Sequence, residues 1–357
     1  MRSGRPCSSA DRRLTSPPEG PQDSLMRHTL TLIAGFAGAA LAVALGLPVG
    51  ALIGAALATG ALTAMGRHLE VSKLVRDLGF CLIGVTLGSG IGPDFGADLV
   101  RWAPSIAMLI LNTVLILWLG TSILRRRAGL NPEIALLAAT PGSLSTVMAL
   151  TSESREDVRP VFVLQSMRIF LVVFLVPPVT FLLQPPVPPD VSAQMGWVWL
   201  TLIVAIALPL GRGLSGLPAG CLLSGMVLSG LAHATGLTDG RPPEIASFSG
   251  MAIAGTVLGA RLSGLSLRDL KGLATVTFVL LATTLVLTLA MVVLTSLMFG
   301  YNMGALWVAF APGGIEAMAA IGVALGYDPA FIAVHHLSRI LFLTLGIPFL
   351  MIRLRGR

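Results

Sequence analysis

Apolar residues in this chain come in long blocks, not at the spacing of an amphipathic helix or a half-buried strand. Runs of about 18 residues or more, enough to cross a ~30 Å hydrocarbon core as a helix, recur along the chain. The pattern predicts segments at 29–47, 48–66, 75–92, 103–124, 132–150 and 160–183. A second series follows at 195–212, 217–236, 245–263, 272–299, 304–325 and 330–352. In lipid the backbone must satisfy its own N–H and C=O groups, so these segments must be helices. The expected fold is all-α, a polytopic membrane protein of 10–12 segments in two repeats: 28–184 and 195–353, joined by the Pro-rich linker 185–194. Residues 1–27 mix Arg, Ser, Pro and Glu with no apolar stretch, so they read as a disordered tail, and the start lies at Met1 or Met26.

Composition supports the same class. Apolar residues reach 54% and charged residues only 11%, with a mean hydropathy of +0.85, too little polar surface to cover a soluble globule of 357 residues. The net charge of +7 concentrates in the tail, at Arg125–Arg127 and at Arg353, Arg355 and Arg357. By the positive-inside rule these clusters face the cytoplasm, giving an inner-membrane protein with both termini inside. No basic recognition helix accompanies them, so no direct binding to nucleic acid is expected. Cys7, Cys81 and Cys221 form no pairing or metal pattern, and His335 and His336 stand ~100° apart on a helix, so neither a metal nor a cofactor is expected. No nucleophile with its base and no phosphate loop is present, and the chain does not read as an enzyme.

The blocks repeat. Pro141-Gly142 through Arg168 returns as Pro312-Gly313 through Arg339, displaced by 171, with Asp157 on Asp328, Gly84 and Gly88 on Gly255 and Gly259, and Asp98 on Asp269. Gly46-Leu47-Pro48 with Gly50 returns as Gly216-Leu217-Pro218 with Gly220, displaced by 170. Matches at Asp, Arg and Pro-Gly carry weight because those residues are scarce here. Charge placement around Arg261, Arg268 and Lys271 favours halves of inverted orientation, provided 132–150 and 304–325 do not each cross completely or one other segment is re-entrant.

Candidate chemistry gathers at these matched blocks. Pro141-Gly142-Ser143 with Ser145, and Pro312-Gly313-Gly314 with Glu316, should each break a helix inside the membrane. The half-helix after such a break directs free N–H groups into a cavity and suits an anion; a plain kink is the alternative. Arg168 and Arg339 lie about 8 and 10 residues into their helices, ~12–15 Å along the axis and near the midplane, where an arginine needs an interior partner. Gln165 and His336 stand three residues before them on the same faces. The arginines either bind substrate, or cap carbonyls freed by the break, or do both. Ser145 in the first half answers to Glu316 in the second, which offers a proton or cation carrier, or a salt bridge to an arginine.

The duplicated Pro-Gly-(Gly/Ser), Asp157 or Asp328, and Arg168 or Arg339 resemble the membrane AbrB family over roughly residues 30–353. Members of that family carry labels such as ammonia monooxygenase or AbrB-family transcriptional regulator. The resemblance extends distantly to bile-acid symporters and cation/proton antiporters, and implies crossed, broken helices at Pro141 and Pro312. Ser143 for the second glycine and Val147 against Met318 depart from equal halves. The reading is a secondary transporter or exporter of a small, anionic solute, with proton or sodium as coupling ion and a homo-oligomer as an allowed assembly. A membrane-bound regulator of gene expression is the alternative. A monooxygenase would need copper or iron ligands that the sequence does not supply.

Overall fold

The computed structural model describes residues 21–141, 157–183, 194–214, 219–263, 265 and 267–355, and every regular element among them is helical. Thirteen helices occur among these residues. In the first half they are α1 (Pro21–Ala44), α2 (Gly50–Ala64), α3 (Lys73–Gly88), α4 (Phe95–Ala128), α5 (Pro132–Ala139) and α6 (Arg159–Leu183). In the second half they are α7 (Trp197–Gly213), α8 (Gly220–Ala234), α9 (Glu244–Ala260), α10 (Leu267–Phe299), α11 (Met303–Phe310), α12 (Ile315–Ala324) and α13 (Pro329–Arg355).

Five of them, within α1, α4, α6, α10 and α13, are long and apolar enough to cross a membrane; α2, α7, α8, α9 and α12 are apolar but shorter. The chain is therefore a multi-pass membrane protein, but not one of twelve equal crossings. The block 304–325 is two pieces, α11 and α12, because Pro312 and the glycines after it interrupt the helix. The helix expected from residue 29 already begins at Pro21, within the stretch read as a tail.

Local geometry recurs at the displacement seen in the sequence. Val49 and Ala219, the caps before α2 and α8, both take left-handed backbone at φ 56° and 57°. Asn131 Oδ1 accepts the Glu133 N–H at 2.7 Å ahead of α5, and Asn302 Oδ1 accepts the Ala305 N–H at 2.9 Å ahead of α11. Asp157 Oδ1 accepts from the Arg159 N–H at 3.0 Å and Asp328 Oδ1 from the Ala330 N–H at 2.8 Å, so the matched aspartates start the two arginine-bearing helices.

The halves exchange partners. α3 packs on α8, and α9 packs on α2. A Cβ on Gly84 would stand 2.1 Å from the Leu222 carbonyl oxygen, and one on Gly255 2.2 Å from that of Leu52. At Gly88 and Gly259 the same contact would be 2.4 Å from Met226 O and 2.6 Å from Ala56 O. Glycine at four-residue spacing thus lets backbone meet backbone, the dispersion-driven packing that replaces hydrophobic association in lipid. With α1 and α7, these four helices form one body; α4–α6 and α10–α13 form the other, where α4 lies along α10. The two bodies meet where α2, α3 and α9 touch α6, α12 and α13.

Candidate functional site

The broken helices sit in this second body. Proline disfavours helical backbone in the residue before it, and Thr140 and Ala311 accordingly leave the helix at φ −58°, ψ 117° and φ −52°, ψ 135°. α5 and α11 therefore end after 8 residues each, with their last carbonyls buried and lacking helical donors.

α6 and α13 supply the missing donors. Gln165 Nε2 donates to Leu137 O at 2.9 Å, and His336 Nε2 donates to Val308 O at 3.1 Å, the matching position. Arg168 Nη2 donates to Thr140 O at 2.8 Å and Nη1 to Ala139 O at 3.3 Å. Arg339 Nη1 donates to Ala311 O at 2.6 Å, and Nη2 to Gly313 O at 2.9 Å and to His336 Nδ1 at 2.7 Å. A carbonyl only accepts, so the His336 proton lies on Nε2 and its Nδ1 lone pair receives the guanidinium. His336 is thereby held neutral in one tautomer.

The carbonyl-capping role of the arginines is thus realised in both halves, at 2% exposure for each. It does not use all of their donors. Arg168 Nε, Arg339 Nε, Gln165 Oε1 and Ser166 Oγ are enclosed with no hydrogen-bond partner among the described residues. Nor does either arginine have a carboxylate partner among those residues.

Gly314 caps α12 in extended backbone, φ −71°, ψ 146°, and Glu316 occupies the first turn. Its Oε2 folds back towards the cap, 2.9 Å from where a Cβ on Gly314 would stand. The positive end of α12 thus already faces a carboxylate. Glu316 shares a narrow cleft with Phe80, Ile169, Val257 and Arg261, at the seam between the two bodies. Pro312, Gly313, Gly314, Glu316, His336 and Arg339 are therefore brought together, as are Pro141, Gln165 and Arg168. Gly142, Ser143 and Ser145 lie outside the described residues. No cluster of three His, Cys, Asp or Glu residues able to hold a metal occurs among the described residues.

Sequence reasoning did not single out Ser105, whose Oγ lies 2.8 Å from His335 Nε2 and ties α4 to α13. It also passed over Asn112 on α4, whose Nδ2 donates to Thr288 Oγ1 on α10 at 3.4 Å, and Trp307, whose Nε1 donates to Val176 O at 3.1 Å. A polar residue inside an apolar block was the available signal; its partner is fixed only by the packing.

No curated protein matches the chain. A family model described as transition state regulatory protein AbrB matches residues 51–355, which takes in both broken-helix blocks and both arginines, so the chain belongs to the AbrB family.

Proposed function

We propose that this protein is a secondary transporter or exporter of a small anionic solute, with the two breaks as its binding site, and not an enzyme. The observation that carries the reading is the pair of buried guanidiniums, without carboxylate partners among the described residues and each with an unused Nε–H. Two like charges at membrane depth call for a counter-anion. Glu316 already stands at the positive end of α12, whereas the matched position of the first half in the sequence is the uncharged Ser145. The solute anion therefore belongs at the first break, and Glu316 is the group that carries a coupling proton or sodium. Halves of inverted orientation would set the breaks against each other, and the partner exchange of α3 with α8 and α9 with α2 is compatible with that arrangement. Effects on gene expression would then follow from the solute's distribution across the inner membrane, without DNA contact.

Purified protein should be screened by thermal shift against small organic anions and amines, since a ligand of the folded state raises the melting temperature by mass action. Hits are then taken to vesicles with proton or sodium gradients. An anion should stabilise the wild type and give no shift with Arg168→Lys or Arg339→Lys, which keep the charge but lose the planar fork. Both variants should also be less stable, by about 1.5–3 kcal/mol for a lost charge-assisted bond. Equal anion-induced shifts in wild type and both variants would overturn the assignment.

A further inference from the structure

In the second body, α4, α5 and α13 enclose a trough of about 890 Å³. Its floor is buried: Leu136, Leu343 and Ile347 are 6%, 5% and 2% exposed, while Trp118 on the rim is 67% exposed. At one end, sharing Ser122, Arg125 and Pro132 with the trough, opens a polar mouth that adds Arg126. Arg125 and Arg126 belong to the last turn of α4 and are exposed.

Two features select an occupant. From Arg125 back to Val114 the trough follows α4 for ~16 Å, against ~15 Å for half of the hydrocarbon core, so it is one leaflet deep. Charge is confined to the mouth and is positive, while the walls below are apolar.

We infer that this trough is a binding site for one anionic phospholipid: phosphate on Arg125 and Arg126, and an acyl chain along Trp118, Leu117 and Phe342. Basic pockets between membrane helices take anionic headgroups in this way. The site is independent of the transport reading, because it shares no residue with the breaks.

The test uses the full chain in detergent, with native mass spectrometry and thermal shift in dioleoyl phosphatidylglycerol, dioleoyl phosphatidylcholine or inorganic phosphate. Phosphatidylglycerol should be retained and should raise the melting temperature more than phosphatidylcholine. The doubly substituted Arg125→Gln, Arg126→Gln protein should bind it about thirtyfold more weakly, the loss expected for two arginines at the membrane surface. Arg101→Gln, whose side chain is 76% exposed at the opposite end of α4, should leave binding unchanged. Should the double variant be poorly folded, quenching of Trp118 by bromine-labelled acyl chains in the wild type, lost on Trp118→Leu, reports the same site. Equal retention of the two lipids, an undiminished preference in the double variant, no Trp118 quenching, or full stabilisation by inorganic phosphate alone would each overturn the proposal.

Discussion

At the scale of single residues, the matched polar side chains act on backbone. Asp157 and Asp328 begin helices, and Gln165, Arg168, His336 and Arg339 close the carbonyl ends left by prolines. Gln165 and His336 do the same task with different chemistry, each donating to a carbonyl four residues before the proline of its own half. His336 also accepts from Arg339. A glutamine at that position can reproduce both bonds, Nε2 donating and Oε1 accepting. His336→Gln should therefore cost less than about 1 kcal/mol, whereas His336→Leu leaves a buried carbonyl and a guanidinium donor unpaired and should cost about 2–4 kcal/mol. Denaturation in detergent, followed by intrinsic fluorescence, separates the two. Equal losses would mean that packing, and not hydrogen bonding, holds this histidine.

At the scale of elements, the glycines decide how helices cross. The Cβ of Gly84→Ala or Gly255→Ala would stand within 2.1 or 2.2 Å of a carbonyl oxygen of the facing helix, so α3 and α8, or α9 and α2, must separate. Losing packing along a whole crossing should lower stability by at least about 2 kcal/mol in either variant. Gly272 on α10 has open space where its Cβ would stand. Gly272→Ala should be neutral, or stabilise by about 0.5–1 kcal/mol through helix propensity. Thermal unfolding of the three proteins side by side checks the contrast, and a tolerant Gly84 would show that the crossing has slack.

At the scale of the whole molecule, the expected sidedness follows from charge. With arginines before the first span, after α4 and at the end of the chain, both termini are expected in the cytoplasm. A reporter active only in the periplasm, fused after Arg357, should give no signal, and one active only in the cytoplasm should. A periplasmic signal would reverse the orientation of the second half and move the Arg268 and Lys271 end of α10 to the outside.

Helical class, the break at Pro312 and the pairing of the arginines were legible in the sequence, because each rests on local chemistry. Apolar blocks in lipid have one backbone solution, a Pro-Gly pair ends a helix wherever it falls, and an arginine inside an apolar block must find acceptors. The order of these features along the chain made their correspondence visible at a displacement of 171. Which acceptors they find was not legible. That Arg339 turns to Ala311 O, Gly313 O and His336, and not to Glu316, depends on α13 lying against α11. The exchange of α3 and α9 between halves, the Ser105–His335 contact and the trough on α4 likewise join residues far apart in the chain. Sequence settles what each segment must satisfy on its own; only tertiary packing brings the partners, because a carbonyl, a hydroxyl or a guanidinium accepts many and geometry selects one.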